Sequence, residues 1–238
     1  MALGFVLLGA TVQATVGFGM ALIAAPTLLL IYPDFVPGPL MAASMTLTLL
    51  VVWSERAHVD LRGMTFAALG RIAGTAVAAT FLAVASVALF DLAFGILVVL
   101  GVVLSSLRPT LAPTRTTTAV AGLASGLMGT ISAIGGPPMA LVYQNAGAAQ
   151  LRSTLAGFFV LGTTISVAAL WGIGRFGVEE AWLSLLLCPA MAAGFFLAGP
   201  LRRRVSDRAI RPLVLGLSLV AAAVVLWRSL CCSGPWAG

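Results

Sequence analysis

Two short glycine-rich interruptions in otherwise apolar sequence, Gly17-Phe18-Gly19 and Gly135-Gly136-Pro137-Pro138, are the positions in this chain best suited to chemistry. Glycine permits a turn inside a helical stretch, and proline cannot continue a helix but suits the first turn of a new one. Each interruption therefore opens a fresh helix whose first N–H groups lack intrahelical partners and carry partial positive charge. Such N-termini bind anions without any charged side chain, and glycine lets a ligand approach the backbone closely. Gln13 and Thr15 flank the first break, and Thr130 and Ser132 flank the second; all four are neutral donors suited to oxyanion oxygens. Tyr143, Gln144 and Asn145 add polar groups at the far end of the second segment. Helix packing accounts for any one of these glycines as well as binding does, but two doubled breaks at corresponding places favour a site.

Arg71 is the one charge well inside an expected span, and no acidic residue stands at helical spacing from it. Two readings stay open: it snorkels to the cytoplasmic face, or it lines an anion path. His58, beside Arg56 and Asp60, reads as a solvated loop residue. No Asp or Glu falls inside an expected span, which argues against coupling through an intramembrane carboxylate.

Other chemistries lack their parts. One histidine, no H-E-x-x-H and no paired membrane carboxylates argue against an enzyme, so no catalytic residue is assigned. Cys188, Cys231 and Cys232 have neither the count nor the spacing of a disulfide framework or zinc site, and no metal or cofactor is expected. The chain has no Lys, so Gly17-Phe18-Gly19 cannot belong to a G-K-[ST] nucleotide loop.

The elements that must position these residues are set by composition. Of 238 residues, 61% are hydrophobic and 8% charged, and the mean hydropathy of +1.11 is that of a membrane protein. Residues 1–238 read as one all-α polytopic membrane domain, with the lipid bilayer as its surroundings. The first stretch lacks a positive n-region and an A-x-A-like cleavage site, so it is expected to be mature structure. The pI near 10.6 comes from arginines in short loops without an extended basic face, which excludes nucleic acid as a partner.

Eight apolar segments are expected, at about 2–32, 39–53, 64–89, 91–107, 118–143, 153–174, 181–200 and 210–230, with a turn near Phe90 and Asp91 between the third and fourth. The Pro- and Thr-rich stretch 108–117 divides them into a first repeat, 1–107, and a second, 118–238. Trp53 and Trp171 end the second segment of each half, Gly74 and Gly194 sit in the third, and Gly95 and Gly216 in the fourth, at offsets of roughly 120 residues. As one helix, residues 2–32 would run about 46 Å, against a hydrocarbon core of about 30 Å. Each opening segment is therefore expected to form a re-entrant hairpin of two half-helices.

Arginine sidedness tests that expectation. If every segment crosses once, Arg56, Arg62, Arg108, Arg115, Arg175 and Arg228 face one side, and Arg152, Arg202, Arg203, Arg204, Arg208 and Arg211 the other. With re-entrant first and fifth segments, only Arg175 and Arg228 oppose the remaining ten, as the positive-inside rule demands. Each half then holds one hairpin and three transmembrane helices. An odd number of spans inverts the second repeat, and both termini lie outside. Two full crossings by each opening segment would give the same loop sides.

The stretch from Gly9 to Pro26, G-A-T-V-Q-A-T-V-G-F-G-M-A-L-I-A-A-P, and its partner from Gly122 to Leu141, with M-G-T-I-S-A-I-G-G-P-P-M-A-L, resemble the paired motifs of the sulfite exporter TauE/SafE family of bacterial permeases. The resemblance covers essentially the whole chain. It implies a bacterial inner-membrane permease for sulfur-containing anions such as sulfite, thiosulfate or sulfonates. The motif positions carried over are Gln13, Gly17 and Gly19 in the first half and Gly129, Gly135, Gly136 and Pro137 in the second. Phe18 and the doubled Pro137-Pro138 depart from the family pattern and bear on which anion fits. The expected substrate site comprises Gln13, Thr15, Gly17, Phe18, Gly19, Arg71, Thr130, Ser132, Gly135, Gly136 and Pro137, with alternating access between the repeats as the mechanism. A non-transporting membrane scaffold or accessory subunit is the alternative, and measured flux separates the two. The anion, the direction of transport, the coupling ion and any homo-oligomer are left open by the sequence.

Overall fold

The computed structural model describes residues 1–107 and 111–204, with isolated positions between 216 and 227. These residues are all-helical, without a strand. In chain order the helices are α1 (Ala2–Val16), α2 (Met20–Ile31), α3 (Gly38–Glu55), α4 (Leu61–Val84), α5 (Val87–Ser106), α6 (Arg115–Ser132), α7 (Gly136–Tyr143), α8 (Ala148–Gly172) and α9 (Val178–Arg204). Among them α3, α4, α5, α8 and α9 are long and apolar enough to cross a membrane. Most of the expected eighth segment, and Arg108, Arg208, Arg211 and Arg228, lie outside the described residues.

The first and fifth segments break where the glycines stand. At about 1.5 Å per residue, α1 is about 22 Å long and α2 about 18 Å, so neither spans a core of about 30 Å. The two pack against each other, as do α6 and α7.

Two boundaries differ from expectation. The turn between the third and fourth segments lies at Ala85-Ser86, not near Phe90 and Asp91, because the Ser86 hydroxyl caps α5 by accepting from the Leu89 N–H at 3.3 Å. Asp91 therefore sits in the second turn of α5, which corrects the expectation of spans free of acidic residues. Arg152 likewise belongs to α8, which begins at Ala148. At the other helix starts, Asp60 caps α4 through the Gly63 N–H at 3.0 Å, and Thr114 and Thr117 form a reciprocal capping box on α6.

The most extensive helix pairing joins α4 and α6. Two small-residue stripes cause it. A Cβ added at Gly70 or Gly74 would overlap the Ala119 or Leu123 carbonyl, and one at Gly122 would overlap the Ala67 carbonyl. Bare glycine lets the two backbones touch, the packing that membrane helices favour where hydrophobic burial no longer drives association. α9 packs on α1 in the same manner, with Gly194 against Ala10 and Thr11. α3 packs against α8 and α9. The α3–α8 pair is antiparallel, since Gly38 meets Phe176 at one end and Glu55 binds Arg152 at the other. Leu22, Leu28, Leu40, Leu47, Phe94 and Met191 form the largest buried cluster, between α1, α2, α3, α5 and α9. Outward positions such as Leu69, Ile72, Ile96, Leu186 and Phe196 stay exposed, as lipid-facing side chains do, and Trp53 and Trp171 are exposed near the ends of α3 and α8.

Candidate functional site

α1 ends because Gly17 and Gly19 take left-handed backbone angles, φ +107° and +116°, which cost an L-residue about 1–2 kcal/mol. Gly19 then stands at the N-cap of α2 without a side chain to offer. Gln13 supplies the acceptor from the preceding helix, its Oε1 receiving the Met20 N–H at 3.4 Å. In the second break Ala133 adopts φ +61°, and the Ser132 hydroxyl accepts from the Ile134 N–H at 3.4 Å. α7 starts at Gly136 with two prolines, which carry no N–H, so the free backbone donors at this tip are those of Gly135 and Gly136.

The two tips touch. A Cβ built on Gly136 would stand 2.9 Å from Phe18 Cβ and 3.6 Å from Phe159 Cζ. Beside that contact lies a cavity of about 40 Å³. At 10–15 Å³ per water, it holds about three waters or one small ion. Gln13, Gly19 and Met20 line it from the first break, and Ala133, Gly135, Gly136 and Pro137 from the second. Met41 and Ser44 of α3, Arg71 of α4, Gly129 of α6, and Phe159 and Thr163 of α8 complete the wall.

Among the described residues Arg71 is the only charged side chain in that wall, and it is 3% exposed. Its guanidinium does not snorkel. Nη1 donates to the Ser125 carbonyl and the Ser125 hydroxyl, both at 2.9 Å, and Nη2 donates to the Ser166 hydroxyl at 3.1 Å. Ser125 Oγ in turn donates to the Gly135 carbonyl at 2.5 Å, tying the second tip to the arginine. Thr130 lies 2.8 Å from Ser166 and donates to Thr75 at 3.2 Å, so a chain of hydroxyls runs behind the guanidinium. Phe158 offers a ring face 5.6 Å from the guanidinium carbon. Three glycines make the space, because a Cβ at Gly129, Gly135 or Gly162 would come within 2.9, 2.8 and 2.8 Å of guanidinium atoms. Among the described residues no carboxylate pairs with Arg71, and its buried Nε has no acceptor.

The structure thus brings Gln13, Gly19, Arg71, Gly135, Gly136 and Pro137 to one cavity wall. The other expected site residues lie behind it. Thr130 belongs to the hydroxyl chain; Thr15 donates to the Thr11 carbonyl at 2.7 Å, and Ser132 to the Met128 carbonyl at 2.8 Å. Phe18 covers Gly136, and Gly17 lies under Arg152, whose Cγ would be 3.2 Å from an added Cβ. Tyr143 stands away from the cavity, donating to Asp60 at 2.8 Å, and Asn145 and His58 are exposed. Sequence reasoning missed Ser125 and Ser166, the partners of Arg71, and Thr163 and Ser44 in the wall. The signal available was polar or small residues one helical turn apart in apolar spans: Ser125 with Gly129, and Gly162 with Ser166.

Long apolar helices and two broken ones meeting over an interior cavity define a multi-pass membrane protein of the permease class. The chain belongs to the Sulfite exporter TauE/SafE family, whose model matches residues 1–225. No curated protein and no solved structure matches it.

Proposed function

We propose that this chain is a permease for a small sulfur-containing oxyanion or organosulfonate, bound where the two breaks meet and moved by alternating access. The observation that carries the reading is Arg71, a buried cation in the cavity wall without a carboxylate partner among the described residues. A charge at membrane depth costs about 3 kcal/mol or more, and such residues mark ligand pathways. Neutral hydroxyls hold the guanidinium in place but leave its charge to be balanced by a ligand. Family membership directs the anion toward sulfur chemistry.

Two inverted repeats, residues 1–107 and 118–238 joined by 108–117, supply the moving parts of this mechanism. The packing supports the division: α1, the opening helix of the first half, lies against α9, the third segment of the second, and α6 lies against α4 in the exchanged arrangement. α3 and α8, the second segments, pair across the halves. Rocking one half against the other parts this seam, whose end is closed by the Arg152–Glu55 ion pair at 3.0 Å. In this arrangement the hairpins enter from opposite faces of a bacterial inner membrane and both termini are periplasmic. In a cysteine-free background, thiols at Ala2 and Asp34 are then expected to react with an impermeant reagent from the same face. Reaction from opposite faces would show that the first segment crosses once.

The functional test is uptake by the purified chain in liposomes, with sulfite, thiosulfate, small sulfonates and carboxylates, with and without a proton gradient. Saturable uptake of at least one sulfur oxyanion is expected. Vesicles that insert the protein yet take up none of them would leave the scaffold reading standing.

A further inference from the structure

Arg71 has five N–H donors. Three are spent inside the protein, two on Ser125 and one on Ser166, which leaves the Nε–H and one Nη2–H without acceptors. The hydroxyls around it are committed as well: Ser125 donates to Gly135, Thr130 donates to Thr75, and Ser44 donates to Met41. The cavity wall therefore presents one positive charge, the Gln13 amide and the backbone N–H groups of the tips. Among the described residues it presents no second cation and no acid. Ser44 and Thr163 add hydroxyls, and the rest of its surface is apolar, with Met20, Leu22, Met41, Ile134, Pro137 and Phe159.

We infer that this site is charge-matched to a singly charged oxyanion and discriminates against dianions of the same size, with Arg71 as the residue that sets the preference. The inference rests on the anion-permease reading and narrows its substrate class. A monoanion neutralises the guanidinium, so the loaded cavity carries no net charge. A dianion leaves one negative charge in a small apolar-walled space at membrane depth, where dipoles alone must hold it, and an unpaired buried charge is penalised heavily. A sulfonate or bisulfite carries the single charge that balances the guanidinium, and the apolar part of the wall accommodates a methyl group better than a fourth charged oxygen.

Methanesulfonate and sulfate make the comparison, since both are tetrahedral and of similar size but differ in charge. Calorimetric titration of the purified full-length chain, at neutral pH and constant ionic strength, is expected to show methanesulfonate binding about tenfold or more tightly than sulfate or thiosulfate. Arg71→Lys, which keeps one charge, retains the order of preference, and Arg71→Gln loses binding of both classes. Sulfate or thiosulfate binding as tightly as methanesulfonate would overturn the charge match while leaving an anion site in place. Silence toward every anion in the panel would overturn the permease reading itself. The wild-type ratio decides between these outcomes even if a variant fails to fold.

Discussion

Replacing Arg71 with Gln is expected to abolish anion uptake by reconstituted protein, a fall of about a hundredfold or more. The magnitude follows from what the residue does. Removing one partner of a buried charge pair costs about 3–5 kcal/mol, and each 1.4 kcal/mol is a factor of ten in an equilibrium constant. The loaded cavity is such a pair, with Arg71 as the only charged wall residue among those described. The fold should survive, because Gln keeps an amide donor near Ser125 and, among the described residues, the guanidinium has no carboxylate whose charge would be stranded. Removing an unbalanced buried cation even favours the empty protein. The expected signature is therefore lost uptake with an unchanged or raised unfolding temperature in detergent. Normal uptake by Arg71→Gln would remove Arg71 from the transport path, and an unfolded variant would make it a packing residue.

Gly136→Leu is expected to reduce uptake at least about tenfold while leaving membrane insertion intact. Gly136 is the first residue of α7 and faces the opposite tip, where a Cβ would lie 2.9 Å from Phe18 Cβ. Phe18 Cβ cannot swing aside as the end of a long side chain can, because it is fixed to the backbone of the turn between Gly17 and Gly19. The added side chain must push the tips apart. Overpacking of this kind costs about 1–3 kcal/mol, and here it also separates Gln13 from the Gly135–Gly136 amides across the cavity. Insertion is governed by the apolar spans, which the substitution leaves alone. The pairing of Gly136→Ala with Phe18→Gly gives the control: the smaller clash is relieved when the opposing Cβ is removed, and uptake returns. If Gly136→Leu transports normally, the tip contact is irrelevant to the path.

Much of the architecture was legible because membrane helices write their constraints locally. Gly17-Phe18-Gly19 and Gly135-Gly136-Pro137-Pro138 interrupt helices through backbone properties of the residues themselves, and the structure breaks both segments there. The boundary before α5 was misplaced because a carboxylate at Asp91 resembles a loop residue, whereas Ser86, five residues earlier, provides the cap that starts the helix. The candidate site was half legible. Gln13, Gly19, Gly135, Gly136 and Pro137 lie next to the breaks and follow them to the cavity. At the second tip two prolines remove donors, and the charge in the wall comes from Arg71 of α4.

The sequence by itself determined a helical membrane chain, two helix breaks and a family, because composition, glycine torsion freedom and the missing N–H of proline act within a few residues. It also determined that Arg71 sits inside a span, but not where its guanidinium goes. That was decided by tertiary structure. The stripe containing Gly70 and Gly74 draws α4 against the Gly122 and Gly126 stripe of α6, and Gly162 brings α8 onto the same spot. Ser125 lies 54 residues from Arg71 and Ser166 lies 95 away, so no local spacing announces either as its partner. Close approach of three backbones turns an isolated arginine into a held cation beside two helix breaks. That approach depends on what each glycine meets across the interface, a property of the packed helices rather than of any one of them.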